Sequence, residues 1–194
     1  MSTKVEEFTT VVPRWSPYVT PVDFATATPE QRAAMQVTPS NKGVSAYVLT
    51  LAHDPESLEV RSPLFNRIMY GKDGLPAAER ELGAIGASVV NRCIYCAAVH
   101  ASRFNNLAKT PEIVDAIFAE GIDAKLDTRP QAILDLAASL STSPPTTTAE
   151  HVQALRSVGF SDLECVDLFL SVAIFGWANR LMHTLGEPLH DGGA

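Results

Sequence analysis

The chain has 194 residues, 46% of them hydrophobic and 19% charged, with a net charge of −7 and a pI near 5.2. Those values fit a globular protein that can bury a sizeable core, and the acidic balance argues against nucleic acid as the main partner, because phosphate binding requires a basic surface. Three cysteines are too few for a disulfide scaffold, and the longest apolar run, Leu168 to Ala178, has only about eleven residues.

The first thirty residues are rich in Thr, Pro and acids and lack the layout of a signal peptide. Cytoplasm is therefore the expected compartment, with no membrane partner. Residues 1–27, with Pro13, Pro17 and Pro21, read as an extended N-terminal arm packed on the body or on a neighbouring subunit. Residues 28–194 read as a single all-helical domain. Thr28-Pro29-Glu30-Gln31 is a helix start, with Thr as N-cap and Gln as its capping-box partner. Residues 44–53 and 55–70 follow as helices, with Pro63 marking a break or a new start. A helix opening at Asp73 or Leu75 runs to residue 90, and another spans 93–107. Thr110-Pro111-Glu112 opens the next, and Gly121 ends it. Residues 129–141 are amphipathic, and Ser143-Pro144-Pro145 breaks them off. Thr148 starts a helix that ends at Gly159. Ser161-Asp162-Leu163-Glu164 is a capping box that opens a long apolar helix to about Leu185. Phe169, Phe175 and Trp177 on it read as core or interface. No strand alternation of useful length occurs, so the fold class is all-α, a compact helical bundle.

The chemistry concentrates between Glu81 and His100. Cys93, Cys96 and His100 lie at i, i+3 and i+7, on one face of one helix. Cys96 and His100 form an i, i+4 pair, so the imidazole can take the thiol proton or stabilise the reactive thiolate. Glu81 precedes His100 by nineteen residues, about 28 Å along one continuous helix. The two can meet only if the chain turns back, and Asn91-Arg92 is the expected turn, with Asn in a left-handed cap. That turn would also place both cysteines in the first turn of the next helix, where free amides favour a thiolate.

The spacing Glu-x11-Cys-x2-Cys-x3-His, with Arg80-Glu81-Leu82 and Tyr95-Cys96, resembles the signature of the alkylhydroperoxidase D-like proteins of the carboxymuconolactone decarboxylase superfamily. Ala178-Asn179-Arg180-Leu181 is similar to the end of its peroxidase-related branch. The strong resemblance covers about twenty-five residues. It implies an all-helical homo-oligomer, a trimer or hexamer, acting as a thiol-dependent antioxidant peroxidase without metal, haem or other cofactor. On that mapping Cys96 is the peroxidatic thiol, Cys93 resolves it as a redox-active disulfide, His100 is the base, and Glu81 orients and charge-balances His100. A peroxide is the substrate, and a lipoyl-protein-like or thioredoxin-like dithiol is the reductant. One departure is Tyr95, where alkylhydroperoxidase D itself can carry a relay histidine. A phenol can donate and accept a hydrogen bond but titrates near pH 10.

The order of the thiols stays open on the residues alone. Generic CxxC oxidoreductases use the first cysteine, whereas the i, i+4 histidine favours Cys96. Two other readings compete: a decarboxylase-type lyase of the same superfamily, and a non-catalytic redox-sensing or zinc-binding module. Zinc would need a fourth ligand from Cys165, His151 or His183. Cys165, in an apolar run, reads as a core thiol. His53, His151 and His190 read as surface or capping residues, and His183 as a cation suited to the end of its helix.

Overall fold

The computed structural model describes residues 2–36 and 43–190. Several of its helices start where a side chain satisfies a free amide of the first turn. In α1 (Pro29–Met35) Thr28 and Gln31 form the expected capping box, in α2 (Ala46–Leu51) Ser45 caps Val48, and in α3 (Pro55–Tyr70) Asp54 caps Ser57. Helix α3 runs through Pro63 unbroken, contrary to the break expected there. Proline removes one amide, and the Glu59 carbonyl it would have met belongs to an exposed residue, where water can satisfy it. Then come α4 (Ala77–Val90), α5 (Ile94–Ala108), α6 (Pro111–Glu120), a 3-10 turn over Gly121–Asp123, α7 (Thr128–Ser141), α8 (Ala149–Ser157) and α9 (Asp162–Leu185). Helix α9 opens on the capping box of Ser161 and Glu164.

The fold is all-α, with one small addition that the sequence did not announce. Strands β1 (Thr3–Lys4) and β2 (Arg14–Pro17) of the N-terminal arm flank β3 (Gly186–His190), both antiparallel to it. The arm is thereby fastened to the end of α9. Trp15 is buried and its indole N–H donates to the Met182 carbonyl (3.2 Å).

Helix α4 is the axis of the bundle. Every residue from Arg80 to Val89 is buried, because α5, α7 and α9 all pack on it. Two glycines permit that approach. A Cβ on Gly86 would lie 2.6 Å from the Ala137 Cβ of α7, and one on Gly83 would lie 2.9 Å from a Leu168 methyl of α9. Helix α9 is long and apolar enough to cross a membrane by length and composition. Its apolarity has another use here: Leu168, Val172, Phe175 and Met182 fill the core between the other helices.

Arg80 locks the start of α4. Its guanidinium is buried and donates to the carbonyls of Ile68, Gly71 and Asp73 and to Asp167 of α9 (2.6–3.0 Å). Asp167 also accepts the Leu75 amide (2.9 Å). This node ties the α3–α4 loop to α9 and fixes the rotation of α4, and so the direction of the next residue, Glu81.

Candidate active site

Helices α4 and α5 form a tight hairpin. Asn91 ends α4 in a right-handed conformation, and the left-handed residue is Arg92, with φ of 53°. The turn lies where expected, but the assignment within it is shifted by one. The Arg92 amide donates to Val89 O (3.1 Å) and the Cys93 amide to Ser88 O (2.8 Å), the paired bonds of a Schellman ending. Asn91 spends its side chain instead, donating to Ala87 O (2.9 Å) and to Asn179 Oδ1 (3.2 Å). His183 Nε2 bonds the Asn91 carbonyl (2.8 Å), so this histidine braces the hairpin from α9.

The hairpin brings the four residues singled out by spacing into one buried cluster: Glu81 is 2% exposed, Cys93 3%, His100 5% and Cys96 6%. Glu81 Oε2 and His100 Nδ1 are hydrogen-bonded. With the carboxylate accepting, Nδ1 carries the proton, and Nε2 of the neutral ring is left as the basic nitrogen. The His100 ring packs edge-on against Phe175, centroids 4.3 Å apart. Arg103, one turn further along α5, places Nη1 3.9 Å from the second Glu81 oxygen and also donates to the Tyr70 hydroxyl.

Cys93 is the N-cap of α5 and Cys96 lies three residues inside. The neighbouring Cys96 thiol, and after it Asn179, favour the charged form of Cys93 and hold its pKa below the ordinary thiol value in spite of burial. Cys96 is pushed well above the ordinary value, first by donating its proton to Cys93 and then by burial. Within the pair Cys93 is therefore the more acidic thiol and Cys96 the one that keeps its proton. The i, i+4 histidine does not by itself make Cys96 the resting thiolate. Asn179 is fully buried, donates to Ser88 Oγ (3.1 Å), and hydrogen-bonds both thiols.

The two cysteines border different cavities. Cys93 borders one of about 380 Å³ between the N-terminal arm, Arg92 and the α9–β3 junction. Cys96 and His100 border another of about 180 Å³, under α2 and α3, with Tyr47, Arg61, Phe65 and Phe175 on its walls. Tyr95 lines both. Burial raises its phenol above the ordinary value, so it stays protonated and can bond but not shuttle protons as a histidine would.

Several wall residues escaped the sequence reading. Phe175 was expected in core or interface; it is buried, and it also touches His100 and borders the cavity. Asn179 stood within the quoted Ala178-Asn179-Arg180-Leu181, and that was the available signal for it. Tyr47, Arg61 and Arg103 carried none. Cys165 is buried away from the site and its pKa is raised by burial. Among the described residues, no cluster of three His, Cys, Asp or Glu is placed to hold a metal ion.

Residues 55–124 match the family model of the carboxymuconolactone decarboxylase family. No functionally curated protein is significantly similar in sequence. Among solved structures, the alkylhydroperoxidase AhpD core of an uncharacterized peroxidase-related protein from Ralstonia eutropha JMP134 is 27% identical, with 93% of each chain covered and a TM-score of 0.76. An uncharacterized peroxidase-related protein from Silicibacter sp. TM1040 shares the fold at 22% identity and a TM-score of 0.74, over 91% of this chain and 95% of that one. The debrominase Bmp8 does so at 22% identity and a TM-score of 0.71, over 87% and 90%.

Proposed function

The chain belongs to the alkylhydroperoxidase D-like, carboxymuconolactone decarboxylase superfamily, and from that premise we propose that it is a thiol-dependent peroxidase whose redox centre is the Cys93–Cys96 pair. The observation that carries the reading is the buried cluster itself: two thiols three residues apart, at the start of the helix that also presents a histidine hydrogen-bonded to a carboxylate.

The nucleophile is Cys96, which shares the smaller cavity with His100. When a hydroperoxide enters, the Cys96 proton passes to Nε2 of His100. The Cys96 sulfur then attacks the terminal peroxide oxygen, the O–O bond breaks, and the alkoxide leaves as an alcohol after taking a proton from His100. Cys96 is now a sulfenic acid. The Cys93 sulfur attacks it, the S–S bond forms, and the hydroxyl departs as water with the proton of the Cys93 thiol, or with one from solvent where Cys93 is already ionised. An external dithiol, lipoyl- or thioredoxin-like, reduces the disulfide and is itself oxidised to one. Glu81 keeps Nδ1 of His100 protonated and balances the imidazolium that forms.

The expected homo-oligomer has a surface suited to it. Leu64 of α3 and Leu170, Ile174 and Trp177 of α9 line a largely apolar exposed groove that Arg61 borders. The lyase reading has no evident use for a paired, proton-sharing dithiol.

The test is peroxide consumption with lipoyl-protein and thioredoxin-type donors, on wild type and on Cys93→Ser and Cys96→Ser. Turnover should require both cysteines, and the oxidised protein should contain the Cys93–Cys96 disulfide by mass spectrometry. Full turnover by Cys96→Ser would overturn the assignment of the nucleophile.

A further inference from the structure

The cavity in front of Cys96 has an unanswered set of hydrogen-bond donors. Among the described residues, six buried side-chain polar atoms have no partner, and three of them belong to residues that line this cavity: the Tyr47 hydroxyl of α2, and Nε of Arg61 and Oγ of Ser62, neighbours on α3. Buried polar atoms are rarely left so, because each has given up water for nothing. A helical serine ordinarily settles the matter by donating to the carbonyl four residues back. Ser88 does so to Ala84 (2.7 Å), and Thr50 does the same with Ala46 (2.9 Å). Ser62, 1% exposed, does not.

The charge is unanswered as well. The carboxylate at this site, Glu81, is engaged by His100 and approached by Arg103. Among the described residues Arg61 has no acidic partner. Its guanidinium lies against aromatic faces instead, 4.3 Å from the Phe65 centroid and 5.9 Å from that of Trp177. Those rings position the group without neutralising it. Burial raises the Tyr47 phenol, which keeps it an O–H donor. A fixed cation and two hydroxyls converging on one space make a receptor for an oxyanion.

We propose that Arg61, Tyr47 and Ser62 bind the carboxylate head group of a small organic substrate, holding its reducible end against Cys96. Val48, Phe65, Val99, Phe175 and Met182 give the wall an apolar and aromatic stretch, beside the polar Ser45, Asn66 and Arg103. The substrate therefore has an apolar body. At about 180 Å³ the space is below the roughly 300 Å³ at which pockets for drug-sized ligands begin, so that body is a single ring or a short chain. The proposal rests on the thiol chemistry above for the reacting end, but recognition of the head group can be measured without turnover.

The probes are benzoate and its neutral analogue benzyl alcohol, titrated calorimetrically into the reduced full-length protein. Benzoate should bind saturably and about tenfold or more tightly than the alcohol, as expected for a charge-assisted contact. Arg61→Met should abolish that preference. Tyr47→Phe and Ser62→Ala should each weaken benzoate severalfold while leaving the melting temperature unchanged, since neither hydroxyl has a partner to lose. Equal affinity for the two probes, or no binding of either, would overturn the inference. So would wild-type benzoate affinity in both hydroxyl variants, which decides the question even if Arg61→Met fails to fold. Arg61-dependent benzoate binding in a protein that consumes no peroxide would leave this site standing and remove the peroxidase reading alone.

Discussion

His100 of α5 and Glu81 of α4 are hydrogen-bonded through Nδ1 and Oε2 in the core of the bundle, nineteen residues apart in the chain. A buried carboxylate without a partner is strongly disfavoured. Removing the ring by His100→Ala should therefore cost about 3–5 kcal/mol in stability. Urea unfolding would read the loss as a lower midpoint at an unchanged slope.

Glu81→Gln separates orientation from charge. The amide keeps the shape of the carboxylate but can present an N–H to Nδ1, which drives the ring to the tautomer with its proton on Nε2. Nε2 of His100 then has no lone pair with which to accept a proton. Peroxide turnover should fall by about a hundredfold or more, within the range of a general base that is lost, with far less loss of stability than in His100→Ala. Comparing kcat/KM with the urea midpoint distinguishes the two effects.

The helix pattern and the core of the site were legible because both rest on local periodicity. Thr28 with Gln31 and Ser161 with Glu164 announce helix starts within four residues, and Cys93, Cys96 and His100 share a helical face by spacing alone. The meeting of Glu81 and His100 needed only one further inference, a turn. What escaped depends on contacts far apart in sequence. The pairing of β2 with β3 joins Trp15 to Pro188 in strands of four and five residues, too short to show alternation. Arg80 looks like any exposed helical arginine until α9 brings Asp167 to it. Arg61 and Tyr47 reach the cavity only because α2 and α3 fold over α5. The conformation of Arg92 was misassigned to Asn91 because propensity favours Asn for positive φ, whereas the Schellman bonds choose the position.

Asn179 hydrogen-bonds both thiols and favours their charged forms. Removing it in Asn179→Ala should raise both pKa values, so that thiolate is lost as pH falls from a higher starting point than in wild type. At neutral pH the rate of peroxide consumption should drop roughly tenfold, the worth of one hydrogen bond to a charged group, and the rise of the pH–rate profile should move to higher pH. A profile that falls in height without moving would indicate a packing role only.

Cys93 is the more acidic thiol, with its pKa lowered, and it borders the larger cavity, whereas the Cys96 pKa is raised well above the ordinary value. Iodoacetamide at neutral pH should therefore label Cys93 before both Cys96 and Cys165, whose thiols are raised above the ordinary value. A limiting amount of peroxide added to Cys93→Ser should instead leave the sulfenic acid on Cys96, trapped by dimedone. The two reagents thus report different sulfurs. If iodoacetamide labelled Cys96 first, Cys96 would be the more acidic thiol and the assignment would be reversed.

Gly86 tests the scaffold independently of the chemistry. Its Cα faces α7 so closely that an added methyl would meet the Ala137 Cβ at 2.6 Å, a separation that real side chains do not tolerate. The obstacle lies directly on the helix, not at the end of a flexible side chain, so α4 and α7 must separate. Alanine is the better helix former by about 1 kcal/mol, which would favour the variant if packing were indifferent. Overpacking in a dense core costs about 1–3 kcal/mol, so Gly86→Ala should be destabilised on balance. Gly86→Ala with Ala137→Gly restores the space at the cost of one helical glycine, and should recover part of the loss. Thermal melts of the single and double variants measure that coupling. A Gly86→Ala protein melting above wild type would mean that α4 and α7 are not packed this closely.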